Sequence, residues 1–173
     1  GAVTVTTDEG GDGSTFIAQD GVAQTISQGK SFAITLNGAT NPSAQAFVVG
    51  RSQALFSAFK FTAGTGEDKR VSRLKLKLFG SGADATDVSN VTLYKYDAAT
   101  GVETQVGSAT SFVGTIATYG ADTTGLDAGV FDVAQNANEI IHIRADVSTA
   151  ASWTNIGIGV NEVKVDGITS QAN

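Results

Sequence analysis

Two acidic runs could hold a metal ion. Asp8, Glu9 and Asp12 stand in DEGGDG, and Asp84 and Asp87 stand in GADATD. Calcium takes roughly 6–8 oxygen ligands, backbone carbonyls included, and short acidic glycine-rich loops supply them. Neither run has the spacing or the closing glutamate of an EF-hand loop. The competing reading is that each aspartate caps a turn through local hydrogen bonds. Soft and transition metals lack a ligand set, because the chain has no Cys and 1 His. Nothing in the sequence requires a cofactor, and calcium is the one ion these loops suggest.

His142 lies in EIIHIRADV with Arg144 and Asp146. A histidine relay needs a nucleophile on one ring nitrogen and an orienting acid on the other. Asp146 is four residues along a strand, about 13 Å away, which is too far to orient the ring. The alternation puts His142 on the outward face, and the expectation is an exposed polar position with no catalytic role. A glycosidase needs two opposed carboxylates, and the 17 acidic residues nominate no pair. GGDG and GSGAD lack the lysine and following helix that cradle phosphate. Trp153, Tyr94, Tyr96 and Tyr119 could stack on a sugar, but aromatics are only 8% of the chain and scattered, which favours packing roles. Asn90-Val91-Thr92 is a formal glycan-acceptor sequon, and the one at Asn41 is blocked by Pro42.

The formal net charge is −6, which argues against a nucleic-acid partner. Five of the 11 basic residues (Lys69, Arg70, Arg73, Lys75 and Lys77) fall within nine positions. They read as the solvated face of one strand, or as a contact stripe for an acidic neighbouring subunit. Charges on a strand also discourage stray edge pairing. No apolar run approaches the ~20 residues of a membrane span, so no membrane insertion is expected. Position 1 is Gly and the chain has no Met, which points to processing or excision. In a chain rich in Thr, Ser, Gly and Ala, removal of a signal peptide is the favoured reason, and export the expectation.

The elements that must carry these residues are strands. Leu74, Leu76 and Leu78 alternate with Lys75 and Lys77, and after a small acidic connection the alternation resumes at Val91 and Leu93. Val71–Tyr96 therefore reads as a central hairpin in a half-buried antiparallel sheet. Leu55, Phe59 and Phe61 share one parity and should be core, with Phe56 on the other face. In Glu139–Val147, Ile141, Ile143, Ala145 and Val147 should face in. Gln45–Val49 and Val102–Val106 read as short strands. Phe112–Thr118 reads as another, with Phe112, Gly114, Ile116 and Thr118 on one face, and a loop-rich stretch begins at Tyr119. Thr15–Ser27 reads as a hairpin turning at Asp20-Gly21. In the last strand, Ile156, Ile158 and Val160 give way to Val163 and Val165, a parity switch that predicts a β-bulge near Asn161–Glu162.

With 21 Gly and 1 Pro, and ten to twelve short strands expected, the chain is read as all-β. The architecture expected is an antiparallel β-sandwich, immunoglobulin-like or jelly-roll, with a short N-terminal strand. Residues 1–13 form an arm and hinge, and residues 14–173 the sandwich domain. In the arm, Ala2, Val3, Thr4, Val5, Thr6 and Thr7 make a β-prone strand, with Val3 and Val5 on one face and the threonines on the other. DEGGDGS separates it from the rest. Such a strand can pair within its own domain or complete the sheet of the next copy, where main-chain hydrogen bonds give affinity.

The order NPSAQAFVVG, ALFSAFKFTAGTGEDKRVSRLKLKL, SGADATDVSNVTLYKYD and NEIIHIRADVST, spanning about Asn41–Val165, resembles immunoglobulin-like modules of large bacterial surface proteins. The resemblance implies a structural or adhesive module on the cell exterior, with no catalytic residues to carry over. The arm departs from that pattern. A free-standing subunit that polymerises has a use for it, whereas a module in a tandem array does not. The expected function is thus a subunit of an extracellular filament or surface layer. Its partner is another copy of itself, joined by strand addition of the arm. The alternative is an adhesin or carbohydrate-binding module of a larger surface protein, with glycans as partners.

Overall fold

Thr, Val, Ile and Phe in alternation, punctuated by glycine turns, favour strands, and among the described residues every regular element is a strand. The computed structural model describes residues 4–6, 15–17, 31–43, 46–80, 84–121, 129–151 and 155–168. Its strands are β1 (Thr4–Thr6), β2 (Thr15–Ile17), β3 (Phe32–Leu36), β4 (Ala54–Ala63), β5 (Lys69–Phe79), β6 (Val88–Tyr96), β7 (Glu103–Gln105), β8 (Ile116–Gly120), β9 (Phe131–Val133), β10 (Asn138–Val147) and β11 (Gly157–Gly167). One sheet runs β3-β4-β10-β6-β7, and the other runs β11-β5-β8 with β9 also on β5. All pairings are antiparallel. The arrangement is the expected β-sandwich.

The core lies between the sheets. Leu74, Leu76 and Leu78 of β5 face Val91 and Leu93 of β6 and Ile141, Ile143 and Ala145 of β10, all buried. β5 and β6 are not a hairpin: they belong to opposite sheets. Alternation demands one buried face for each strand, and facing sheets meet that demand as well as neighbouring strands do. Residues 80–87 are long enough to cross the ~10 Å between packed sheets. Gly80 starts the crossing at φ +137°, where a Cβ would lie 2.2 Å from the Asn155 carbonyl oxygen.

Bulges decide which side chains are core. On β11 the register against β5 shifts between Val160 and Glu162, leaving Asn161 as the extra residue, as the parity switch required. On β4 the register against β10 shifts so that Phe56 is extra. That turns Leu55 to the outer face opposite Arg144, while Phe61 stays in the core. Phe56 is itself buried and stacks on Phe47, with ring centroids 4.5 Å apart. The stretch expected as the strand Phe112–Thr118 turns at Gly114 (φ +61°), so only β8 is strand. Its inward residues are Ala117 and Tyr119, while Thr118 is exposed. Residues 46–49 are not strand.

Two side-chain hydrogen bonds among the described residues tie the sheets together. Ser57 Oγ on β4 donates to the Ile158 carbonyl on β11 at 2.7 Å. Tyr119 Oη on β8 donates to the Val91 carbonyl on β6 at 2.5 Å. Burial pushes the Tyr119 phenol pKa up. Together the two bonds set β11 beneath β4 and β8 beneath β6.

β1 pairs with β2, Val5 opposite Phe16, in a two-stranded sheet separate from both large ones. The second half of the expected 15–27 hairpin lies outside the described residues.

Candidate functional site

Strand β10 carries His142 and Arg144 outward, as alternation predicts, yet His142 is only 4% exposed. The exposed-position reading is corrected by what lies over the ring. β3 runs on into residues 37–42, and this segment is tied down beside His142. Asn37 N–H donates to the Ala58 carbonyl at 2.9 Å. The Asn41 side-chain oxygen accepts from Ala58 N–H at 2.9 Å. Thr40 Oγ1 then meets His142 Nε2 at 3.0 Å and accepts from Asn37 Nδ2 at 2.6 Å. The ring stacks on Tyr96 at 4.5 Å and 16°.

On the other side, His142 Nδ1 lies 2.5 Å from Glu103 Oε1 on β7. An ionised Glu103 only accepts, so Nδ1 carries the proton. Arg144 forks onto the same carboxylate, Nε to Oε2 at 2.9 Å and Nη2 to Oε1 at 2.8 Å, and donates through Nη1 to the Gln53 carbonyl at 2.9 Å. Burial disfavours the Glu103 anion, but the donors from Arg144 and His142 outweigh it, and its pKa is held below the ordinary value. Hydroxyl, imidazole and carboxylate are thus connected in the order of a nucleophilic relay. The imidazole is covered and the carboxylate is committed to Arg144. In this geometry the cluster acts as a clasp that fixes residues 37–42 to β10 and β7. Sequence reasoning missed Thr40 and Glu103, since neither is near His142 along the chain.

Asp146 does not orient His142. It accepts from Gln53 N–H at 2.7 Å, from Gln53 Nε2 at 3.1 Å and from Asn90 Nδ2 at 2.7 Å. Gln53 and Asn90 both have positive φ, 48° and 47°, and one carboxylate pins both bends. The bond from Asn90 leads in lowering the Asp146 pKa. The sequon at Asn90 therefore has its amide engaged and its threonine, Thr92, buried.

Asp84 and Asp87 do come together, in a closed turn. Asp84 N–H donates to Asp87 Oδ2 at 2.8 Å, and Thr86 donates to Asp84 Oδ1 through N–H and hydroxyl, each at 2.9 Å. Among the described residues no three His, Cys, Asp or Glu side chains gather as a metal site. Asp8, Glu9 and Asp12 lie outside the described residues, as do Ala2, Val3, Thr7 and Trp153. Tyr119 is in the core and Tyr96 lies against His142, so these aromatics form no shared platform.

The basic stripe meets acids of its own chain. Lys69 pairs with Glu67 at 3.0 Å, both buried. Arg70 forks onto Asp132 at 2.7 and 2.8 Å. Arg73 and Lys75 share Glu162 on β11, Lys75 at 2.8 Å. Lys75 and then Arg73 hold the Glu162 pKa low. Lys77 is exposed.

Among the described residues, one flank of the sandwich has no strand beyond its edges. β11 ends its sheet, and β3, one strand beyond β4, ends the other. Ser57 fixes β11 beneath β4, so the Leu36 end of β3 overhangs it. Exposure rises along β3: Phe32 and Ile34 are half-buried, and Leu36 is 60% exposed. On β11, Ile158 is buried, but the core-facing Val160, Val163 and Val165 are only half-buried. The opposite flank is filled differently. There Thr110 bridges to Val91, Phe112 is buried, and a shallow cavity of about 350 Å³ beside β8 is lined by Gly107, Ser108, Thr118 and Gly120, among others.

No family model matches the chain, and neither a curated protein nor a solved structure matches it.

Proposed function

We propose that this protein is a structural subunit of an extracellular filament or surface layer, assembling when the N-terminal strand of one copy adds to the sandwich of another. The observation that carries the reading is that β1 and β2 belong to neither large sheet, while among the described residues no strand lies beyond β3 and β11 on one flank of the sandwich. Two paired strands are marginally stable alone, and three or more with an apolar face hold together. Strand addition meets both needs through main-chain hydrogen bonds. The resemblance of residues 41–165 to surface-protein modules supports an exterior location. The adhesin alternative wants an exposed aromatic platform, and Tyr96 and Tyr119 are committed elsewhere.

Light scattering across a concentration series tests the reading. The intact chain is expected to form particles that grow with concentration, and a chain lacking residues 1–13 is expected to stay monomeric. The first described strand in either large sheet is β3, so the truncation removes none of their described strands. Equal assembly by both chains refutes the proposal.

A further inference from the structure

Resting on that reading, we infer that the acceptor is the outer edge of β11, with the donor strand of a second copy lying beneath the overhanging end of β3.

Among the described residues, five strands lie at an edge of the two large sheets: β3, β7, β11, β8 and β9, the last only three residues long. β7 is three residues long, and its Glu103 is taken by His142 and Arg144. The β8 side has a bridged segment above it, and its shallow cavity is lined by Tyr119 and Val130 among mostly small residues. β3 is short, and its far edge lies beyond any described strand of the opposing sheet. β11 is the longest of these edge strands, at eleven residues. A strand beside it would continue the smaller sheet and complete cover for Val160, Val163 and Val165. Its inward side chains would also meet Leu36 and Ile34 from above.

The donor suits that space. Ala2–Thr7 is six residues, about 20 Å when extended, and β3 above is five. Its valines Val3 and Val5 are small enough for a gap already floored by three valines and roofed by Leu36. It carries no charge that would have to be buried under β3. A strand on this edge also meets a gatekeeping device. The bulge at Asn161 breaks the pairing rhythm of β11, so registers on its two sides are not interchangeable. That favours one register over sliding. The donor comes from another copy because, within one chain, β1 pairs with β2 and with neither β3 nor β11.

The natural chain has no cysteine, so disulfide trapping is clean. Val5→Cys is combined in one chain with Val160→Cys, Val163→Cys or Val165→Cys in turn, and with Thr118→Cys as the β8 control, and each is oxidised under assembling conditions. The inference expects covalent ladders from one β11 position and none from Thr118→Cys. A disulfide closing within the monomer means the strand docks on its own chain and overturns the inference. Ladders through Thr118→Cys, or none from β11 while the parent chain still assembles, overturn it too and leave the assembly proposal standing. A parent chain that never assembles overturns both. As a second probe, Leu36→Lys is already solvated in the monomer, so its fold should persist. It is expected to weaken assembly by about tenfold or more, and unchanged assembly counts against the site.

Discussion

Ser57 Oγ on one sheet and the Ile158 carbonyl on the other lie 2.7 Å apart, and this bond places the edge strand β11 under β4. Ser57 is 6% exposed, so the carbonyl it satisfies has little access to water. Ser57→Ala should destabilise the fold by about 1–3 kcal/mol, the range for stranding a buried polar group. Tyr119→Phe should cost less, about 0.5–1.5 kcal/mol, because the Val91 carbonyl still accepts from Thr110 N–H at 2.9 Å. The sites share no partner, so the two losses should add. Urea denaturation of both single variants and the double variant checks this.

Gly120 closes β8 at φ +72°, and a Cβ there would lie 2.0 Å from the Ser72 carbonyl oxygen. Gly101 has the same φ with nothing within 4 Å. Gly101→Ala should therefore cost about 1 kcal/mol for conformation alone. Gly120→Ala should cost clearly more, because backbone on β5 must also move. Thermal melts of the pair separate the two effects.

The clasp should control how the 37–42 segment opens. Arg144→Met removes the fork on Glu103 and leaves the carboxylate half-buried. The expected loss is roughly 1.5–3 kcal/mol, as for hydrogen bonds to a charged group. Thr40→Val cuts the links to His142 and to the Asn37 side chain. It should leave global stability within about 1 kcal/mol yet speed proteolytic nicking between residues 37 and 43. Limited proteolysis with mass-spectrometric mapping reads this, and an unchanged nicking rate contradicts the clasp.

Acid should loosen the five-stranded sheet through two carboxylates. Glu103 and Asp146 both have pKa values below their ordinary range in the folded state. Their stabilisation is then complete above the unfolded values, near about 4, and is lost as pH falls through the lower folded values. Urea midpoints should be flat near neutrality and fall below about pH 4. In Glu103→Gln with Asp146→Asn the neutral-pH stability should be lower and the acid dependence shallower. An unaltered acid slope would mean other groups dominate.

Much of this fold is legible in alternation. Leu74, Leu76 and Leu78 announce a strand with one buried face, and Val160 against Val163 announces a bulge before any coordinates. Alternation is a local signal, however. It fixes which face is buried, and not which strand lies alongside, so β5 and β6 read as neighbours although they face each other across the core. Phe56 carries no sign that it is the extra residue that turns Leu55 outward. The His142 clasp was illegible for the same reason. Its parity was right, but its partners Thr40 and Glu103 arrive from other strands, and cover by a loop leaves no periodic trace. The open flank is a property of sheet order, visible only once β11 is seen to end one sheet and β3 the other.

The central claim is that the first residues of one copy complete the sandwich of another. Titrating a peptide of residues 1–13 into a chain lacking those residues tests it most directly, by calorimetry with infrared detection of added β-sheet. The account predicts saturable one-to-one binding, lost when Val3 and Val5 in the peptide are replaced by Asp. A peptide that does not bind, under conditions where the truncated chain is folded, would contradict it.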